Sequence, residues 1–186
     1  MKKCLVCGRQ LDINPLLKFD DMPASAQDIP DGTQVEQDRG ITLELFQCPR
    51  CGLVQFDCSP VKYYKDVIRS GGFSTTMINL RKRQYAHLIE KYNLTGKKFI
   101  EVGCGRGEFL GVLKEFPVQA FGIEHKHDLV ESAQKEGINV REEFLGTADN
   151  IIEEGPFDVF LSFNFFEHQP DPNGMLPVSY THLTLP

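Results

Sequence analysis

Two groups of residues in this chain could do chemistry: a run of glycines beside a carboxylate, and two pairs of cysteines. Gly103, Gly105 and Gly107 alternate with other residues shortly after Glu101, and a helical pattern begins at Glu108. Glycine adopts positive φ and lets a ligand approach the backbone without a Cβ in the way, and the first turn of a helix offers unpaired N–H groups. The segment predicts a ligand-binding loop between a strand and a helix; the alternative is a glycine-rich turn that binds nothing.

The spacing of these glycines differs from that of two phosphate-binding motifs. A dinucleotide fingerprint, G-x-G-x-x-G, needs its third glycine where Glu108 stands, and the loop lacks the Gly-Lys-Ser/Thr ending of a P-loop. Glu101 also suits a ligand with a positively charged end better than one that carries pyrophosphate.

The cysteines form two C-x-x-C-G motifs, Cys4 with Cys7 and Cys48 with Cys51. Four thiolates from two such turns make a tetrahedral sulfur site that suits zinc. Four ligands close the coordination shell, so this zinc is expected to be structural; an iron–sulfur cluster is the alternative. Cys58 is left over, either as a substitute ligand or, preferably, as a small buried apolar side chain.

The elements that must position these groups follow from the apolar pattern. After residue 97, strands alternate with helices, which is typical of a doubly wound parallel α/β sheet. Ser74 is predicted to cap a helix that ends near Tyr92, with Leu80 among its core-facing residues, and Asp128 is predicted to cap a later one. The predicted strands are 98–102, 120–124, 138–141 and 157–163, and the predicted helices of the sheet are 108–116 and 128–136.

The N-terminal 60 residues hold five of the six cysteines and little helical pattern. They predict a small loop-rich module with short strands at 16–19 and 41–46 and a polar, turn-rich stretch between them. The predicted domains are a zinc-binding module (1–60), a connector and helix (61–96), the sheet domain (97–176) and a tail (177–186). The tail resembles the translation of a sequencing adapter, so we expect the natural sequence to end near Leu176.

The segment from Glu101 to Gly107 resembles motif I of the class I S-adenosylmethionine-dependent methyltransferases. The resemblance implies a Rossmann-like sheet and places Glu101 beside the methionine end of the cofactor. Glu124, at the end of the second strand and about 20 residues after the loop, is then expected to bind the ribose hydroxyls; the alternative is an exposed carboxylate flanking a helix. Asp149 lies where the family often contacts adenine, although it could equally cap a short helix.

The fourth predicted strand leads into Asn164, Glu167 and His168, at the sheet edge where open α/β folds bind ligands. Methyl transfer requires an aligned nucleophile and a group that takes its proton. His168 is the preferred base because histidine titrates near neutral pH. Glu167 is a second candidate and Asn164 a candidate cofactor ligand; the alternative for His168 is an ordinary polar loop residue.

Three features together resemble those of one branch of the family. They are the zinc module, the second cysteine motif with the Gly-Leu-Val-Gln that follows it, and the glycine motif. This branch is related to the C-methyltransferases of nucleotide-linked deoxysugar biosynthesis. The resemblance implies a small-molecule acceptor, with a nucleotide-linked sugar as the expected one. The stretch 69–74 departs from the branch's Ser-Ser-x-Ser segment. We also expect the given sequence to lack the C-terminal substrate domain of that branch. The sheet reaches only its fourth strand, so we expect this fragment to be inactive on its own.

Charge weighs against a nucleic-acid partner. The formal net charge is −6, and the first 60 residues carry six Lys/Arg against nine Asp/Glu, although phosphate-backbone binding needs clustered basic residues. Two alternatives stay open: an RNA methyltransferase with a zinc module, and a non-catalytic zinc-stapled binding protein. No apolar run reaches the length of a membrane span, and a cytoplasmic protein is expected. The sequence leaves the oligomeric state open.

Overall fold

The computed structural model describes residues 2–25, 30–61, 73–145, 152–181 and 183. The chain divides into two compact units: Met1–Ile68 with Pro170–Asn173, and Arg69–Gln169 with Gly174–Pro186. Within the described ranges, no helix has both the length and the apolar character that crossing a membrane requires.

The first unit contains a three-stranded antiparallel sheet. Its strands are β1 (Leu17–Met22), β2 (Ile41–Gln47) and β3 (Val54–Phe56), in that spatial order. The first two agree with the sequence prediction, and the third, only three residues long, was not predicted. Since β2 ends at the second cysteine motif and β3 begins just after it, that motif is the turn of a hairpin.

The core of this unit is built around sulfur. Among its described residues, Cys4, Leu11, Phe46 and Cys48 form the buried cluster. Because half of this small core is thiol, apolar burial alone gives the unit little stability. A bound metal ion would supply what the core lacks.

The second unit contains a four-stranded parallel sheet, which confirms the predicted α/β class. Its elements are α1 (Thr75–Tyr92), β4 (Lys98–Val102), α2 (Glu108–Leu113), β5 (Gln119–Glu124), α3 (His127–Lys135), β6 (Val140–Glu142), β7 (Val159–Leu161) and α4 (Pro172–Thr181). The strands lie in the spatial order β6-β5-β4-β7, so the fourth strand of this sheet lies beside the first.

Apolar side chains cover both faces of this sheet. On one face, Phe99 packs with residues of α1, α2 and α3, among them Tyr85, Leu110 and Val130. On the other face, Ile100 and its neighbours pack with Met175 of α4. Strand β4 is therefore central and buried, so residues at its carboxyl end are held in fixed positions.

Several local predictions are confirmed and others are wrong. The Ser74 hydroxyl caps α1 by accepting from the Met77 N–H at 3.3 Å, as predicted. Leu80, however, is 37% exposed, so its predicted core-facing position is wrong. The buried residues of α1 are Tyr85 and Ile89. Asp128 lies in the first turn of α3 and is not its cap, because the helix already starts at His127. Strand β7 is only half-buried, since it forms one edge of the sheet.

Candidate active site and metal centre

The glycine loop joins β4 to α2 by a sharp turn. Gly103, Gly105 and Gly107 have φ angles of 72°, 60° and 71°, in the left-handed region that favours glycine. The N–H of Gly103 donates to the carbonyl of Ile123 on the neighbouring strand at 2.9 Å. The alternate glycines are thus a requirement of this backbone path, as the sequence indicated.

Two of these glycines also make room for neighbouring side chains. A Cβ on Gly103 would lie 2.4 Å from Cδ2 of Phe165, and one on Gly107 would lie 2.9 Å from Cγ2 of Ile138. Phe165 therefore packs directly over the start of the loop. This contact could not be predicted from the sequence, because an aromatic residue in a loop after a strand has no fixed partner.

Glu101 lies one residue before the end of β4 and its side chain is fully buried, with 0% exposure. It stands in register with Gly122 on β5 and Leu161 on β7. Burial disfavours a charged carboxylate, so acidic residues are rarely enclosed in a core without a specific purpose. Its place at the carboxyl end of the central strand makes it a candidate for ligand binding.

Glu124 ends β5 and is 7% exposed, so the alternative of an exposed flanking carboxylate is wrong. Its Oε2 accepts from the Gly105 N–H at 3.0 Å. Its Oε1 accepts from the N–H groups of His125 and Lys126 at 2.9 and 3.0 Å. The carboxylate thus joins the loops after β4 and β5. Its Oε1 already accepts two hydrogen bonds, and its Oε2 keeps capacity to accept one more.

Asn164, Glu167 and His168 follow β7, the parallel neighbour of β4, so all three lie at the carboxyl edge of the sheet. Asn164 is exposed and has a left-handed φ of 52°. Glu167 and His168 belong to a short 3-10 helix, in which Glu167 is exposed and His168 half-buried. Asp149 lies outside the described residues, as does the stretch 69–72.

The four predicted metal-ligating cysteines come together. The Sγ atoms of Cys4, Cys7, Cys48 and Cys51 all lie within 4.8 Å of one another. Two pairs across the motifs, Cys4 with Cys51 and Cys7 with Cys48, are 3.5 Å apart. A tetrahedral zinc with Zn–S bonds of about 2.3 Å places its sulfurs at roughly such separations. The donor set therefore fits a single zinc ion.

The two cysteine turns are built alike. The Gly8 N–H donates to the Cys4 carbonyl and the Gly52 N–H to the Cys48 carbonyl, each at 3.0 Å. Both glycines have positive φ, 68° and 77°. This matching geometry accounts for the glycine that follows each pair in the sequence.

Backbone N–H groups favour the thiolate form of one of the cysteines. The N–H groups of Cys51 and Arg50 lower the pKa of the Cys48 thiol to about 6, and the thiolate is the form that binds metals. Cys58 is exposed and is not part of the cluster. The preference for a buried Cys58 is therefore wrong.

Comparison with known proteins identifies a family. The profile of a family described as "Methyltransferase domain" matches residues 77–184, more than half of the chain. Among curated relatives, the ubiquinone biosynthesis O-methyltransferase of Pseudomonas fluorescens (strain Pf0-1) is 33% identical over 93 residues, 47% of this chain and 40% of that protein. That of Methylococcus capsulatus is 33% identical over 88 residues, 43% and 36% of the two chains. The chain spans about two fifths of the length of these relatives.

Solved structures share the fold. The plantazolicin methyltransferase BpumL in complex with SAH has a TM-score of 0.50 at 20% identity, over 65% of this chain and 46% of that one. The same enzyme with a triazolic desmethylPZN analog and SAH has a TM-score of 0.51 over the same shares.

Proposed function

Because this chain belongs to the methyltransferase-domain family, we propose that it binds S-adenosylmethionine at the glycine loop and transfers the methyl group to a small-molecule acceptor. The observation that carries the proposal is the pair of enclosed carboxylates on either side of that loop. Glu101 is buried at the end of β4, and Glu124 at the end of β5 is hydrogen-bonded to Gly105.

These residues fit the two polar parts of the cofactor. Glu101 would bind the ammonium group, either directly or through water, and Glu124 would accept from the ribose hydroxyls with the capacity that its backbone contacts leave. The loop between them presents backbone without Cβ atoms, so a flat ligand can approach closely. We place Asp149 near adenine and Asn164 near the cofactor on the strength of their sequence positions.

The bound cofactor supplies an electrophilic methyl group on a sulfonium. The protein must hold the nucleophile of the acceptor in line and take its proton. His168 is our first candidate for the base, because it follows the strand beside the glycine loop and its imidazole is half-buried. Glu167 is a second candidate, although its side chain is exposed.

The zinc site has a structural role in this proposal. Its four thiolates leave no open coordination position for substrate or water.

The module with its Gly-Leu-Val-Gln motif supports a finer proposal, that the acceptor is a nucleotide-linked sugar and the product a C-methyl sugar. The relatives named above are described as a ubiquinone biosynthesis O-methyltransferase and a plantazolicin methyltransferase, so the comparisons do not choose among acceptor classes.

Calorimetry with S-adenosylhomocysteine on the zinc-loaded protein tests the proposal. We expect saturable binding that is lost in Gly105→Val, since a β-branched residue cannot adopt the φ of 60° at this position. Gly111→Ala is the matched control: Gly111 lies inside α2, where a Cβ would meet Ile138 at an ordinary 3.7 Å. His168→Ala should keep binding and lose methyl transfer. Absence of binding by the folded protein at millimolar ligand would overturn the proposal.

A further inference from the structure

We propose that Asn173 is a positioning residue for the candidate base. It ties the segment that carries His168 to the first cysteine turn (Cys4–Cys7), so that zinc binding also restricts the movement of that segment. The inference rests on the proposed function, in which His168 takes the proton. Its basis is one contact: Nδ2 of Asn173 donates to the carbonyls of Leu5 at 3.0 Å and of Val6 at 2.7 Å.

This contact lies within the first unit. The short segment Pro170–Asn173 belongs to that unit, although the residues on either side of it belong to the second. A side-chain amide has two N–H donors, and Asn173 uses both on adjacent carbonyls of one turn. The contact therefore requires both carbonyls to be in place at once.

The position of the two carbonyls depends on the metal site. They lie between Cys4 and Cys7, so a metal ion bound to both thiolates fixes the backbone on either side of them. The same turn is also held from β3: the Leu5 N–H donates to Oε1 of Gln55 at 2.9 Å, and Nε2 of Gln55 donates to the Lys3 carbonyl at 3.2 Å. Gln55 ends the Gly-Leu-Val-Gln motif, which thus helps to shape the surface that Asn173 binds.

The chain between Asn173 and His168 is short and stiff. Four residues separate the two, and two of these are Pro170 and Pro172. A proline ring fixes its own φ at about −65°, so a segment with two prolines has little slack. A hold on Asn173 is therefore transmitted along the backbone towards His168.

The segment that receives this restraint is the 3-10 helix Phe166–His168. The His168 N–H donates to the Phe165 carbonyl and the Gln169 N–H to the Phe166 carbonyl, each at 3.1 Å. These single-turn bonds leave the helix with little stability of its own. Because proton transfer needs an aligned base, a tether that narrows the range of positions open to the imidazole serves catalysis.

Amide hydrogen exchange of the zinc-loaded protein, followed by NMR at neutral pH, tests the inference through the N–H groups of His168 and Gln169. Both should exchange about tenfold faster in Asn173→Ala and in Asn173→Asp, because neither side chain can donate to the turn and local opening becomes easier. Asp171→Asn is the matched control, since this exposed residue lies in the same segment; it should exchange as the wild type does. All three variants should keep one zinc per chain.

Zinc removal gives a readout that a purely local role of Asn173 would not change. Chelation should speed exchange of the same two amides in the wild type and add little in Asn173→Ala, where the tether is already lost. If Asn173→Ala exchanges as the wild type does, or if chelation speeds exchange equally in both proteins, the inference is wrong.

Calorimetry with S-adenosylhomocysteine separates this inference from the proposed function. Affinity should stay within twofold in the Asn173 variants, because they leave Glu101, Glu124 and the glycine loop unchanged. If the ligand fails to bind even the wild type while exchange behaves as expected, Asn173 still tethers the segment, but the proposed function fails and the positioning role fails with it.

Discussion

The Glu124 carboxylate fastens the glycine loop: its Oε2 accepts from the Gly105 N–H at 3.0 Å while its Oε1 accepts from the two residues that follow it. One side chain at the end of β5 thus sets the path of the backbone at the end of β4. A residue predicted as a ligand contact also shapes the loop around that ligand.

Glu124→Gln is therefore expected to weaken S-adenosylhomocysteine binding at least tenfold and to lower the free energy of unfolding by about 1–2 kcal/mol. The amide NH₂ cannot accept from the N–H groups that face one carboxylate oxygen, so at least one buried donor loses its partner. Urea unfolding and calorimetry measure the two effects. Glu131→Gln, on the exposed face of α3, is the control; equal losses in both variants would contradict the role given to Glu124.

Gly103→Ala should destabilise the protein by about 2–3 kcal/mol. The substituent meets Phe165 at 2.4 Å and the backbone stays at a φ of 72°, so both overpacking and left-handed strain contribute. Adding Phe165→Ala should recover part of the loss, because it removes the clash and leaves the strain. A double-mutant cycle from urea unfolding gives the coupling; strictly additive effects would show that the ring does not restrict this position.

Zinc removal should unfold the first unit and leave the parallel sheet folded. In the part of this unit that the structure describes, Cys4 and Cys48 are two of the four residues in the buried cluster. The prediction follows because the binding energy of a structural metal is folding energy. Metal analysis should give one zinc per chain, and hydrogen exchange after chelation should increase across β1–β3 but not across β4 and β5. Cys58→Ser, outside the cluster, should retain the metal, and Cys48→Ser should lose it.

Asp158 should make the free energy of unfolding depend on pH in the acid range. The Lys98 N–H, which donates to its Oδ2 at 2.8 Å, and the Lys97 ammonium, 3.1 Å from its Oδ1, lower the pKa of this carboxyl from its ordinary value. A lowered folded-state pKa means that the contribution is complete above the unfolded pKa, about 3.9, and is lost as the pH falls through the folded value.

Asp158→Asn should accordingly cost about 1–2 kcal/mol at pH 7 and much less at low pH. Urea unfolding at a series of pH values measures the difference, with the exposed Glu90→Gln on α1 as a charge-matched control. A loss that stays constant across the acid range would mean that the carboxylate charge is not what holds β7 to β4.

Regular elements were predictable from the sequence because their signals are local. The β4 strand and the capped start and end of α1 follow from apolar spacing and from Ser74, and they match the structure. The glycines of the loop and the two cysteine turns were equally clear, since positive φ and four-sulfur clustering depend on short motifs.

Contacts between distant segments were not predictable. Three contacts join residues that only the fold brings together: Phe165 with Gly103, the Glu124 hydrogen bond to Gly105, and the Arg81 guanidinium over the ring of Phe163. Short edge strands were also difficult to predict, since β3 has only three residues. The exposure of Cys58 could not be predicted either, because a single cysteine outside a motif carries no signal of burial. The branch-specific acceptor depends on such long-range contacts, so it stays a prediction.

The two cysteine turns determine where this chain can accept insertions and deletions. An ion bound to both turns closes a loop of forty residues, 8–47, that contains β1 and β2. Closure entropy grows only with the logarithm of length, about 0.6 kcal/mol for each doubling. The stretch between the turns can therefore lengthen or shorten considerably while the four sulfurs keep their geometry. Insertions in that stretch should be tolerated, whereas a single residue inserted into either cysteine turn should not be.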